Sequence, residues 1–289
     1  MESWRRPRAV LAAADAPTIP SATLLASAEI LIARGMLATT TGAVTSALSQ
    51  LARAAALLEP AGETVLLPDT PAALTAVVAL HFGELAVADA TLRSAVAAKL
   101  GGRPAHARHM LLHGWVAMAR GKLDVARRAL DWSAQQSSPL EPRDELIAAT
   151  LAVGLARRDN DLAAMDPAVR RARGALVRHP IDLYTLQPLG ELAIATSRLG
   201  DREWIMPHLK EAEDLLDKLG NPALWAVPLH WSELHAAIVT QQLAESQQPE
   251  GSQAPDQSRA QRHAAALTAS RRAVPTLPRW RPRQTAGCR

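Results

Sequence analysis

The chain has 289 residues, is 48% hydrophobic but only 3% aromatic, and carries a formal charge of +4. That size allows one extended repeat array or two modest globular domains. Alanine and leucine carry the apolar load, which favours helix over strand. The single cysteine, Cys288, excludes a disulfide framework or a cysteine zinc site within one chain.

No uninterrupted apolar run approaches the roughly 18 residues that span a bilayer. Arg5 and Arg6 precede the apolar run Ala9 to Ala14, but it is too short for a signal core and Asp15 ends it. A cytoplasmic protein without a membrane segment is expected. The charge is unevenly placed. Residues 259–289 hold eight arginines and no acidic residue, which leaves residues 1–258 with a net charge of −4. Nucleic acid is therefore not an expected partner of the folded body.

In chain order, residues 1–21 read as an irregular lead-in with Pro7, Pro17 and Pro20. A helical pattern runs from Ala22 to Gly35, and a second from Gly42 to Pro60. Counting from Gly42, positions +5, +9 and +12 are Ala47, Leu51 and Ala54. On a helix these fall along one face. A loop follows to Thr70, a plausible N-cap before Pro71. The next helix leads into Gly83, with Ala88, Leu92 and Ala95 at the same three offsets. After Pro104 a helix covers residues 105–120. Gly121 then repeats the grammar with Ala126, Leu130 and Ser133.

A fourth copy is degenerate. Counting from Asn160 gives Met165, Val169 and Ala172, and Pro167 is expected to weaken this helix or delay its start. The fifth, from Gly200, gives Ile205, Leu209 and Ala212, with Pro207 implying a late start. A last helix spans residues 223–244, with Pro228 as a kink or start. The turn anchors are thus 42, 83, 121, 160 and 200, spaced 38 to 41 residues apart. Such spacing predicts an all-α array of about five helical hairpins, in which each pair leaves an apolar face for the next to cover.

Two glycines seven apart, then Ala, a large residue and Ala, then proline, resembles the tetratricopeptide repeat. Gly35/Gly42 and Gly114/Gly121 carry both glycines, while Gly83 and Gly200 carry the second. The period exceeds the usual 34 or so. Longer, alanine-rich versions look like the repeat region of large LuxR-type, MalT-like ATP-binding transcriptional regulators of actinobacteria. Only four lysines and two asparagines fit a GC-rich genome. The resemblance covers residues 22–245 and implies a right-handed superhelix, an α-solenoid, that binds a protein partner or regulatory ligand in its groove. Those regulators carry an N-terminal phosphate-binding loop and a C-terminal helix-turn-helix. Here no G-x-x-x-x-G-K-[ST] occurs, and residues 246–289 offer no DNA-reading domain. The chain is expected to be part or a fragment of such a regulator.

Residues 246–258 read as a Gln/Ser/Pro linker. Ser258 to Ala273 has the pattern of a short basic helix. The remainder is Arg- and Pro-rich, is expected to be disordered, and changes character abruptly enough to fit a frameshifted end.

Candidate chemistry is sparse. His106, His109 and His113 share one face of a helix and can be weighed as zinc ligands, against a polar edge. Glu211, Glu213, Asp214 and Asp217, interleaved with Lys210 and Lys218, read as solvated ion pairs. No nucleophile–base pattern or glycine-rich nucleotide loop is present, so no enzyme and no cofactor is expected. Of the tryptophans, Trp225 and Trp231 in the last helix are the candidate partner-binding anchors. The alternative function is nucleic-acid binding through the arginine tail, with Trp280 between Arg279 and Arg281.

Overall fold

The computed structural model describes residues 24–64 and 67–246. Among them are eleven α-helices and no strand. In order these are α1 (Leu24–Thr40), α2 (Val44–Leu58), α3 (Pro71–Phe82), α4 (Leu85–Ala97), α5 (Gly102–Ala119), α6 (Leu123–Ala134), α7 (Pro142–Arg158), α8 (Leu162–Leu176), α9 (Leu186–Leu199), α10 (Met206–Lys218) and α11 (Ala223–Ser246). Two short 3₁₀ segments, Glu59–Thr64 and Glu203–Ile205, interrupt the series. No described helix is long and apolar enough to cross a membrane. The lead-in, linker and tail expected from the sequence lie outside the described residues, as do Trp280 and Cys288.

The hairpins follow from one turn used five times. Gly42, Gly83, Gly121, Asn160 and Gly200 all have positive φ, between 56° and 83°. In every case the next residue's N–H closes back on the carbonyl five positions earlier: Ala43 to Ala38, Glu84 to Ala79, Lys122 to Ala117, Asp161 to Ala156 and Asp201 to Thr196. This 6→1 bond is the Schellman closure, and it needs a left-handed residue at the turn. A Cβ built at Gly83 would meet nothing within 4 Å, so conformation rather than space demands glycine there. Gly83→Ala is therefore expected to lose about 1–2 kcal/mol. Gly174→Ala, inside α8 with equally open surroundings, is expected to gain up to about 1 kcal/mol. Urea midpoints of the two variants check both signs.

The earlier glycines of the pairs do a different job. A Cβ on Gly35 would lie 2.7 Å from Leu51, and one on Gly114 would lie 2.8 Å from both Ala129 and Leu151. Hydrogen at these positions lets neighbouring helices approach closely. The small–large–small positions are buried. Ala47, Leu51 and Ala54, then Ala88, Leu92 and Ala95, then Ala126, are all buried, and Leu130 is partly buried against the core. Met165, Val169 and Ala172, then Ile205, Leu209 and Ala212, are buried in the same way.

From α3 onward, odd-numbered helices are the more buried and even-numbered ones the more exposed. Helices α3, α5, α7 and α9 pack each on the next, and most of their residues are buried. The outer helices α2, α4, α6 and α8 bury one stripe and turn charged residues to solvent. The final unit departs from the pattern. Helix α9 packs along α11 far more than along α10, and at Gly190 the Pro228 carbonyl approaches to 2.9 Å from where a Cβ would stand.

At Pro167 the expected delay does not occur. Helix α8 starts at Leu162 under an Asp161 cap and runs through Pro167, so its start is not delayed. Helix α11 runs through Pro228 and so does not start there. Each proline removes one intrahelical bond, and the packing around the helix compensates. At Pro207 the late start does occur, after the 3₁₀ turn.

Candidate functional site

The face on which a binding groove is expected is closed. Helix α11 returns to α1 and α3, and its Trp225, 1% exposed, donates its Nε1–H to Thr39 Oγ1 at 3.0 Å. The His81 imidazole meets the same indole edge-on at 4.8 Å. Between α3, α5, α7 and α9 lies a cavity of about 20 Å³, lined by Val77, Leu112, Trp115, Ile147 and Tyr184 among others. Trp225 is therefore not an exposed anchor: the chain's own first hairpins cover it. Trp231 is 46% exposed, with its ring edge-on to His235.

The open space lies at one end of the inner helices. The segments that enter α3, α5, α7 and α9 gather there around two arginines. Arg108, early in α5, donates Nε to Asp144 Oδ1 at 2.9 Å, Nη1 to Asp69 Oδ1 at 2.7 Å and to the Pro68 carbonyl at 3.1 Å. Its Nη2 reaches Glu141 at 3.3 Å. Arg143, in the first turn of α7, donates Nη1 to Asp69 at 2.8 Å and Nη2 to Asp182 at 2.7 Å, and its Nε faces His179. The Tyr184 ring lies under both guanidinium groups, 4.6 Å from that of Arg143.

Local sequence puts these groups in place. Thr70 caps α3 by accepting from the Ala73 N–H, with Pro71 at the first helical position, so Asp69 is held at the helix entrance. Asp182 accepts the N–H groups of Tyr184 and Thr185, which fixes the turn into α9. Burial pushes the Asp144 carboxyl up, and Arg108 offsets this only in part. Burial also works against the Arg108 charge, but Asp144 and Asp69 outweigh it and hold that group above its ordinary value. Burial drives the Tyr184 hydroxyl well above its usual range.

Around this polar centre lie two adjoining clefts. One, of about 600 Å³, is walled by Thr70, Pro104, Arg108, Arg143, Arg178 and His179. The other, of about 520 Å³, has a more apolar wall with Trp132, Pro139, Leu140 and His106. Pro104 and Glu141 border both. Trp132 stands half-exposed, its ring edge-on to His106 at 5.2 Å.

The three histidines of α5 diverge. His106 turns to Trp132, His109 shares a 2.6 Å hydrogen bond with Thr70 Oγ1, and His113 faces Asp89 Oδ1 at 3.0 Å. Among the described residues no three His, Cys, Asp or Glu side chains are grouped to hold a metal ion. On α10, Lys210 pairs with Asp214, and Asp217 accepts from Asn221. The arginine tail lies outside the described residues.

Sequence reading missed Asp69, Arg108, Arg143, Asp182 and Tyr184. A signal was present: Arg108 to Asp69 and Arg143 to Asp182 are each separated by 39 residues, one repeat, and Arg108 to Asp144 by 36. Opposite charges recurring at the repeat period mark contacts between successive hairpins. No family model, no curated protein and no solved structure matches this chain.

Proposed function

We propose that this chain is a non-catalytic helical-repeat module, its hairpins wound as a right-handed superhelix, that binds a protein partner or regulatory ligand at the mouth of its inner helices. The observation that carries this is the pair of adjoining clefts at the helix entrances, floored by fixed charges, while the inner face is filled. An apolar wall beside convergent polar groups is the usual makeup of a binding site. The guanidinium groups of Arg108 and Arg143 and the carboxylates of Asp69, Asp144 and Asp182 are engaged with one another, which favours recognition over catalysis. The repeat grammar supports, as part of the same proposal, a cytoplasmic place within a MalT-like regulator. Reading the DNA on both sides of the gene tests that part: a phosphate-binding loop or a helix-turn-helix encoded alongside supports it.

The binding site is tested by placing a photo-cross-linking amino acid at Gln136, on the cleft rim, or at Arg128, exposed on the outer helix α6. In cells that make the protein natively, a discrete adduct is expected from position 136 and none from 128. Equal labelling from both positions, or none from 136, would overturn the assignment.

A further inference from the structure

Helix α11 carries an apolar stripe left open along most of its length. Ala223 and Trp231 are exposed, Val227 and Leu234 are half-buried, and Ile238 is 41% exposed. On a helix these five fall within a sector of about 80° and extend about 22 Å. The solvent faces of the outer helices look different: α6 shows Asp124, Arg127, Arg128 and Asp131 there. Helices α1, α3, α5 and α7 are each followed by an outer helix that packs on them. Among the described residues, no such helix follows α11.

We propose that residues 258–273 of this same chain form the outer helix that docks on the Trp231–Ile238 stripe. Forty-three residues follow α11. Among them, the stretch between Pro255 and Pro275 has the pattern of a helix, with Ala260, Ala264 and Leu267 at i, i+4 and i+7. That face is small and apolar, like the buried stripes of α2, α4 and α6. The eleven residues 247–257 can span about 36 Å when extended, more than the stripe's length, so the chain can turn back along α11. Charge favours the same occupant. The docking segment carries Arg259, Arg262, Arg271 and Arg272 and no acid, whereas residues 1–258 are net −4 and α10 displays four acidic residues against two lysines. The site is separate from the clefts, so the inference stands apart from the proposed binding function.

Hydrogen exchange on the full-length chain reads the docking directly. Amides of residues 258–273 are expected to exchange at least about tenfold more slowly than a free chain. That protection is expected to vanish in Ile238→Asp, whose exposed position leaves the remaining helices unchanged by circular dichroism. In a Cys288→Ser background, Ile238→Cys with Leu267→Cys is expected to form a disulfide within one chain on mild oxidation. Free-chain exchange in the unaltered protein would refute docking, as would protection that survives Ile238→Asp. Cross-links found only between chains would assign the stripe to a second copy instead.

Discussion

Replacing Asp144 with alanine is expected to destabilise the fold by about 3–5 kcal/mol, read as a fall in urea midpoint at constant m. Asp144 is 1% exposed, and its partner Arg108 is 6% exposed. Breaking a buried pair leaves one charge in a poorly hydrated place, and that uncompensated charge sets the size of the effect. Arg108 keeps Asp69 and the exposed Glu141 in the variant, so the lower half of the range is favoured. A paired replacement separates the charge from the packing. Arg108→Met with Asp144→Leu is expected to recover most of the loss, because well-packed apolar residues can replace a buried ion pair at little cost. The double variant does not regain the bonds that Arg108 makes to Asp69 and to the Pro68 carbonyl. The entrance to α3 should loosen as a result, and with it cross-linking at Gln136. If the double variant were as unstable as the single one, the pair would be a net source of stability rather than a device that fixes the relative placement of three hairpins.

That network also shows what the sequence carried and what it hid. The turn anchors were legible because one backbone conformation, left-handed φ, selects glycine or asparagine in every copy. The stacking positions were legible because a small residue is the only economical way to bring two helices close. Trp225 was misplaced for an instructive reason. Repeat logic is local, pairing each hairpin with its neighbour, whereas Trp225 meets Thr39 across 186 residues. The last helix packs on the first and third, a long-range contact that no single repeat records. The clefts were hidden similarly. Asp69, Arg108 and Arg143 read one at a time as solvated charges, and only the repeat period brings them together.

Lowering the pH from 6.5 to 5 is expected to remove about 2 kcal/mol of stability for each of His81 and His109. Burial lowers His81 from 6.5 to about 4, with a small opposing contribution from the Leu224 backbone. His109 is lowered to about 4 as well, by burial first and then by His106 and Arg108. The sign follows from proton counting. Between 4 and 6.5 the unfolded chain binds a proton at each site and the native chain does not, so acid favours unfolding. The loss begins near 6.5 and is complete near 4. Keeping to the range above 5 leaves out most carboxylate titration; Asp144, raised by burial, acts in the opposite direction. His179 and His235 are also lowered, chiefly by burial, though not as far as His81 and His109. Packing explains why protonation is resisted. No hydrogen bond of good geometry reaches either ring nitrogen of His81 among the described residues, and His109 Nδ1 is likewise buried without a partner. Pro228 withholds the N–H that would otherwise bond the Leu224 carbonyl, so that carbonyl is left facing the His81 ring. His81→Phe keeps an aromatic edge against Trp225 and removes the titration. It is expected to flatten the slope of stability between pH 6.5 and 5 by close to half, and His81→Phe with His109→Asn to flatten most of it. An unchanged slope in the double variant would place the acid sensitivity elsewhere. A slope lost along with the Trp225 contact would show instead that α11 had already left α1 and α3.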